Sequence, residues 1–168
     1  MKANKSFKPL NIAVLTLSDK RTVNDDTTGD LLDELATEAG HLVVERRISS
    51  HDFYQIRAVI SQWIADDNIH VIITNGGTGF AADNVTQDAI EPLLANHIDG
   101  FGELFRQLSF EDIGTSSMQS RAFAGLANKT LVAAVPGSGG AARLAWEKLL
   151  APQIDARQGS CNFVGHLV

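Results

Sequence analysis

The sequence has one cysteine, few basic residues and no long apolar run, and each of these shortages excludes a class of protein. Cys161 alone can form neither an internal disulfide nor a zinc cluster, so we expect a reducing compartment, the cytoplasm. With 14 Lys and Arg residues against 20 Asp and Glu residues, the net charge of -6 opposes nucleic-acid binding. No segment approaches the roughly 20 apolar residues of a membrane helix, and the polar start does not resemble a signal peptide. We therefore expect no nucleic-acid partner, no membrane insertion and no export.

The chain has 168 residues, of which 44% are hydrophobic, and this is enough for the core of one domain. We place that domain at residues 10–168, after an N-terminal extension of residues 1–9. Apolar runs predict strands at 11–18, 42–48 and 70–74, and helical spacing predicts helices from about 27 and 52. This alternation predicts an α/β fold in three layers, with a mostly parallel sheet and helices on both faces.

Further elements are predicted in the second half of the chain. They are helices at 86–94, 101–108 and 139–150, and a strand pair at 122–126 and 130–135 that turns at Asn128-Lys129. The carboxyl ends of parallel strands meet at one edge of a sheet, where ligands bind. We therefore expect the loop 19–26, the turn 49–52 and the segment after Thr74 to meet in space.

The segment after Thr74 is glycine-rich. Three glycines in the sequence Gly76-Gly77-Thr78-Gly79, named here the glycine turn, allow positive φ angles and leave amides free to face an anion. This pattern favours a cradle for a small phosphorylated ligand, and the alternative is a plain strand-to-helix turn. Residues 77–82 also match the G-x-G-x-x-A dinucleotide pattern, which leaves a nucleotide-dependent oxidoreductase as a weaker alternative, because the match follows the third strand.

Several polar residues accompany the glycine turn. Asp83 and Asn84 follow it closely enough for a carboxylate to hold Mg²⁺ against a bound phosphate, although Asp83 could equally cap a helix. Asp52, beside His51, is a helix cap first and a functional candidate second. Two later segments suit anions, although a surface ion pair and a plain helix start explain them equally well. These segments are Ser120-Arg121 and Pro136-Gly137-Ser138.

Six ordered motifs together carry a family resemblance. They are residues 15–19 (LTLSD), 26–29 (DTTG), the glycine turn, 100–103 (GFGE), Ser120-Arg121 and 136–138 (PGS). The set resembles the MoaB/MogA family of molybdenum-cofactor biosynthesis proteins, and residues 105–111 and 151–157 resemble its MoaB branch. The resemblance implies a molybdopterin-binding, MogA-like fold and a trimer or hexamer. For active members it also implies Mg²⁺ and ATP, with transfer of AMP to molybdopterin and release of pyrophosphate.

The resemblance also implies site residues. Those expected to bind substrate are Ser18, Asp19, Asp26, Gly76, Gly77, Thr78, Gly79, Ser120, Arg121, Pro136, Gly137 and Ser138. Active members use two aspartates, whose positions by ungapped count hold His51 and Asn84 here, with Asp52 and Asp83 immediately beside them. Two hypotheses follow. Either Asp52 and Asp83 hold Mg²⁺ for adenylylation, or the protein binds molybdopterin without turnover.

Overall fold

The computed structural model describes residues 6–159 and 161–168, and its centre is a six-stranded sheet. In chain order the strands are β1 (Asn11–Leu17), β2 (Leu42–Ser49), β3 (Val71–Asn75), β4 (Asn96–His97), β5 (Phe123–Ala127) and β6 (Thr130–Val135). Across the sheet the order is β2-β1-β3-β6-β5-β4. The pairs formed by β1 with β2, β1 with β3 and β3 with β6 are parallel, whereas β5 is antiparallel to both neighbours. The predicted mostly parallel sheet is confirmed.

Helices cover both faces of the sheet. They are α1 (Thr27–Glu38), α2 (Phe53–Ile64), α3 (Thr86–Ile90), α4 (Asp99–Ile113), α5 (Gly139–Ala145), α6 (Ala151–Gln153) and α7 (Val164–Leu167). One core contains α1, α4 and α5, and the other contains α2 and α3. Alternate residues of β1 enter the two cores, which is why its apolar run is nearly continuous. The predicted three-layer α/β fold is confirmed.

Local sequence signals explain several element ends. Asp52 caps α2, because its Oδ1 accepts the Gln55 amide at 2.8 Å. Gly40 follows α1 with a φ of 92°, the left-handed conformation predicted for a helix end. Asn128 and Lys129 have φ angles of 48° and 62°, as a two-residue turn between antiparallel strands requires. These three predictions are confirmed.

Other boundaries differ from the prediction. The predicted helix 86–94 becomes 3₁₀-helical at Glu91–Leu93, where Pro92 cannot donate a helical hydrogen bond. The predicted helix 139–150 passes from α5 into a π-helical turn, Trp146–Leu150. The predicted helix 101–108 is longer, because α4 ends only at Ile113, before Gly114 adopts a φ of 59°. The short elements β4 and α7 carry no periodic signal and were not predicted.

Of the predicted N-terminal extension, residues 1–5 lie outside the described residues, and Phe7 packs against His41 with ring centroids 5.1 Å apart. In the described part of the chain, every helix is too short or too polar to cross a bilayer.

Candidate functional site

The three segments expected to meet do come together at the carboxyl edge of the parallel strands. Asp19, after β1, accepts the His51 amide at 2.9 Å through Oδ1. The His51 ring in turn reaches the glycine turn, because a Cβ built on Gly77 would lie 3.7 Å from His51 Cε1. Ser18 lies at the start of the same loop, where its hydroxyl accepts the amides of Lys20 and Arg21.

The glycine turn has the conformation that its glycines predict. Gly76 and Gly77 have φ angles of 107° and 65°. A Cβ on Gly76 would lie 2.4 Å from the Leu17 carbonyl oxygen, and a Cβ on Gly77 would lie 2.3 Å from Thr86 Oγ1. Neither position can accept a side chain without moving its neighbour.

Thr86 is a functional candidate that sequence reasoning missed. Its hydroxyl donates to the Gly76 carbonyl at 2.9 Å, and the residue is fully buried at the start of α3. A threonine at a helix start is so common that only its packing against the turn reveals this role. The backbone amides of Gly77 and Thr78 find no acceptor among the described residues, which suits a turn that receives an anion.

A cleft of about 320 Å³ opens between the glycine turn, the end of α4 and the segment before α5. Eight of the predicted residues line it: Gly77, Thr78, Gly79, Asn84, Ser120, Pro136, Gly137 and Ser138. The remaining predicted residues lie outside its lining: Ser18, Asp19, Asp26, His51, Asp52, Gly76, Asp83 and Arg121. The two glycine-rich segments touch, because a Cβ on Gly137 would lie 3.3 Å from Gly76 Cα.

Ser120 separates this cleft from a neighbouring one of about 490 Å³ and contributes to both linings. Its Oγ is buried and has no hydrogen-bond partner among the described residues. A buried hydroxyl without a partner is unusual, and this one belongs to the residue that the two clefts share.

Arg121 holds the glycine turn through backbone contacts. Its Nε and Nη2 donate to the Gly79 carbonyl at 3.0 and 2.7 Å, and Nη2 also donates to the Asn84 carbonyl at 2.7 Å. Its guanidinium lies 5.1 Å from the Phe80 ring centroid. Arg121 therefore clamps the loop between Gly79 and Asn84, a role that its sequence position did not indicate.

Asp52 and Asp83 differ from the residues beside them, His51 and Asn84, in what their side chains face. Asn84 lines the cleft and its Oδ1 accepts the Gly79 amide at 3.1 Å, whereas the exposed Asp83 accepts the Asn84 side-chain amide at 3.0 Å. His51 lies beside Gly77, whereas Asp52 caps α2. The structure thus places His51 and Asn84 beside the turn.

The fit to Mg²⁺ is poor in this arrangement. Within residues 6–159 and 161–168, no group of three or more His, Cys, Asp or Glu side chains could hold a metal ion. Mg²⁺ sites generally combine one or two carboxylates with substrate phosphates, and no acidic residue belongs to the lining of the 320 Å³ cleft. Asp52 and Asp83 do not form the expected metal pair there.

Asp26 is buried away from the cleft. Its Oδ1 accepts the Gly29 amide at 3.0 Å and its Oδ2 accepts the Thr16 hydroxyl at 2.8 Å. Arg46 lies 3.4 Å from the same Oδ2. Burial disfavours the Arg46 charge, but hydrogen bonds and the charge of Asp30, with further bonds to other aspartates, raise the pKa of Arg46 overall.

The dinucleotide pattern at 77–82 lacks its structural context. A phosphate-binding helix should begin within this pattern, but α3 starts only at Thr86, after a bend and a turn. The local geometry therefore gives no support to the nucleotide-dependent oxidoreductase alternative.

Comparison with known proteins agrees with the fold and shows the family. The family model described as "Probable molybdopterin binding domain" matches residues 13–156. Molybdenum cofactor biosynthesis protein B of Escherichia coli (strain K12) is 52% identical, over 96% of this chain and 95% of that protein. The protein of the same name from Bacillus cereus is 43% identical, over 88% of each chain.

Solved structures give the same result. A crystal structure of molybdenum cofactor biosynthesis protein B superposes with a TM-score of 0.87 at 42% identity, over 89% of this chain and 94% of that one. The tungsten cofactor synthesizing protein MoaB from Pyrococcus furiosus superposes with a TM-score of 0.75 at 30% identity, over 83% and 89%. The chain therefore belongs to the MoaB/MogA family of molybdenum-cofactor biosynthesis proteins, within its MoaB branch.

Proposed function

We propose that this protein binds molybdopterin in the cytoplasm during molybdenum-cofactor biosynthesis and adenylylates it slowly or not at all. One observation carries the second half of the proposal. The side chain beside the glycine turn is the neutral amide of Asn84, and no carboxylate joins it in the cleft lining. A neutral oxygen is a weaker ligand for Mg²⁺ than a carboxylate, so charge on a bound nucleotide would stay uncompensated.

Binding itself does not need a metal. The free amides of Gly77 and Thr78 can receive the phosphate of molybdopterin, as backbone amides do in other glycine-rich anion sites. The neighbouring 490 Å³ cleft can hold the ring system, because it offers the exposed Phe80 for stacking and the carboxylate of Glu103 for ring amino groups. Ser120 then borders both parts of the ligand, because it belongs to the lining of both clefts.

The alternative is the adenylyltransferase reaction of active family members. In that reaction the substrate's own phosphate attacks the α-phosphorus of ATP, so the protein supplies position and charge rather than a nucleophile. Mg²⁺ and ATP are co-substrates only of this alternative. It requires Asp52 and Asp83 to leave the helix cap and the exposed position that they occupy here.

We also propose that the protein assembles as a trimer or hexamer. The family resemblance suggests this, and exposed apolar side chains along and after α4 support it: Leu104, Phe110, Ile113 and Met118. Light scattering of the purified protein should give three or six times the 18.1 kDa chain mass. A monomer mass at micromolar concentration would remove this part of the proposal.

The function is tested by incubating the protein with molybdopterin, ATP and Mg²⁺ while both binding and pyrophosphate release are measured. We expect wild-type protein to bind molybdopterin and to release little pyrophosphate. The double variant His51→Asp with Asn84→Asp should raise release by about tenfold or more, because it places two carboxylates beside the turn.

Asp83→Ala is the matched control, because it removes a carboxylate that lies outside the cleft lining. It should change neither binding nor release. Rapid wild-type release that Asp83→Ala abolishes would instead establish the adenylyltransferase alternative. Absence of molybdopterin binding by the folded wild-type protein would exclude both hypotheses.

A further inference from the structure

Three buried polar side chains form a chain of hydrogen bonds behind the glycine turn. Asn75 Nδ2 donates to Thr16 Oγ1 at 2.9 Å, and Thr16 Oγ1 donates to Asp26 Oδ2 at 2.8 Å. Asn75, Thr16 and Asp26, named here the polar relay, are 1%, 2% and 3% exposed. Apolar side chains would fill this space without the cost of burying polar groups, so the arrangement requires an explanation.

The relay reaches the glycine turn through Asn75, the last residue of β3. Asn75 lies opposite Thr16 in the β1–β3 register and directly precedes Gly76. Gly76 then turns with its amide on the Val135 carbonyl, at 3.0 Å, and with its α-carbon against the end of β1. The side chain of Asn75 therefore fixes the point from which the turn departs.

The relay reaches the second glycine-rich segment through α1. Asp26 caps α1 by accepting the Gly29 amide, and a Cβ on Gly29 would lie only 2.0 Å from Asp26 Oδ2. Thr28, in the same first turn, donates its hydroxyl to the Gly137 carbonyl at 2.9 Å. Because Gly137 packs against Gly76, both segments that border the cleft are tied to Asp26.

The direction of each hydrogen bond is determined by chemistry. The amide nitrogen of Asn75 can only donate, so the Thr16 hydroxyl accepts a hydrogen bond from it and donates one to Asp26. Both oxygens of Asp26 are already occupied by Gly29, Thr16 and Arg46. Asp26 is only 3% exposed and does not belong to the cleft lining, so it is not placed to contact a ligand there.

We propose that Asp26 is a positioning residue, which acts through Thr16 and Asn75 to hold the glycine turn in its phosphate-binding shape. This replaces the substrate-binding role expected for Asp26 from sequence. The inference rests on the proposed function only in that the ligand held by the turn is molybdopterin.

Thr16→Val tests the relay, because valine keeps the shape of threonine but removes the hydroxyl that joins Asn75 to Asp26. Thr130→Val is a matched control at the opposite edge of the sheet, where a threonine that is 1% exposed donates to the Ile69 carbonyl at 3.0 Å. Thr16→Ser restores a hydroxyl at the original position. Molybdopterin affinity, amide exchange over residues 76–79 and urea stability are measured for all three variants.

We expect Thr16→Val to weaken molybdopterin binding by about tenfold and to accelerate amide exchange over residues 76–79. Thr130→Val should lower stability to a similar extent but keep affinity within about twofold, since it removes a comparable hydrogen bond far from the turn. Thr16→Ser should recover most of the affinity. This combination separates positioning from a general loss of stability.

Wild-type affinity and exchange in a folded Thr16→Val protein would overturn the inference, as would an equal loss of affinity in Thr130→Val. If wild-type protein binds no molybdopterin, the proposed function fails and amide exchange alone decides the relay. Faster exchange over residues 76–79 in Thr16→Val only would then support it, and unchanged exchange would overturn it.

Discussion

Polar side chains have different roles at the two edges of the sheet. At the amino edge of the parallel strands, His41 Nδ1 accepts the Leu10 amide at 3.1 Å and His70 Nδ1 accepts the Asn11 amide at 2.9 Å. Each of these side chains accepts a hydrogen bond directly from the backbone. At the carboxyl edge, two hydrogen bonds join the three relay residues to one another, and the amides of Gly77 and Thr78 find no acceptor among the described residues.

This difference shows how one fold separates stability from binding. His41 and His70 each accept a backbone amide, so those two amides are not available to a ligand. Polar groups that satisfy each other can hold a turn in place while its amides stay available. On the proposed function, the carboxyl edge can therefore receive the ligand, whereas His41 and His70 at the amino edge contribute to stability.

Glycine substitutions should show the largest difference between the two edges in stability and in molybdopterin binding. Gly76→Ala introduces a side chain at a φ of 107° and 2.4 Å from a backbone oxygen that cannot move aside. It should cost more than about 3 kcal/mol in free energy of unfolding and abolish molybdopterin binding. Urea denaturation and binding titration measure the two effects.

Gly40→Ala is the control at the amino edge. Gly40 has a φ of 92°, but its Cβ would meet only the movable Phe7 ring, at 3.0 Å. This change should cost about 1–2 kcal/mol and leave ligand affinity unchanged. A larger loss of stability for Gly40→Ala than for Gly76→Ala would contradict the rigid packing ascribed to the turn.

Removal of the arginine clamp should have the next largest effect. Arg121→Ala deletes the donors to the Gly79 and Asn84 carbonyls and should weaken molybdopterin binding on the order of tenfold. Arg121→Lys should not restore binding, because one ammonium group does not reproduce the planar arrangement of the guanidinium donors.

Arg57→Ala is the matched control for Arg121→Ala, because Arg57 also donates to two backbone carbonyls, those of Ala89 and Asp88, but away from the cleft. It should leave affinity unchanged. If Arg121 acts as a clamp, its loss weakens binding equally at low and high salt. A loss that appears only at low salt would instead indicate direct contact with the phosphate.

Acid should destabilise the amino edge by a smaller amount. Burial lowers the pKa of His41 and of His70 from the ordinary value of 6.5. Because the folded-state pKa is below the unfolded one, their contribution to stability is complete above about pH 6.5 and declines as pH falls. Asp155 also faces His41, and its hydrogen bonds from Arg157 lower its pKa below 3.8, so its effect begins at more acidic pH.

His41→Asn isolates this effect, because the asparagine oxygen is as far from Cβ as Nδ1 and can accept the Leu10 amide, but it cannot titrate. Between pH 7.5 and 5.5, wild-type protein should lose more stability than the variant, because only the wild-type side chain has a folded-state pKa below its unfolded value. Equal pH dependence in urea denaturation would show that His41 does not contribute.

Sequence reasoning succeeded where a local pattern has one structural solution. Apolar runs separated by helical spacing predict parallel strands with crossover helices, and adjacent Asn128 and Lys129 predict a tight hairpin. The glycine turn was predicted for the same reason, because positive φ angles need glycine. The roles of Thr86 and Arg121 were missed, because their partners are backbone carbonyls 10 and 42 residues away in the sequence. No sequence pattern marks such a carbonyl.

The sequence alone determined the alternation of strands and helices as far as β3, the position of the glycine turn and the family, because each depends on residue type and spacing along the chain. Only the tertiary structure decided which of two adjacent residues faces that turn. His51 and Asn84 approach it, while Asp52 caps a helix and Asp83 is exposed. The physical reason is that side-chain direction in a loop depends on backbone torsions and distant hydrogen bonds, which have no period from which neighbouring positions could be distinguished.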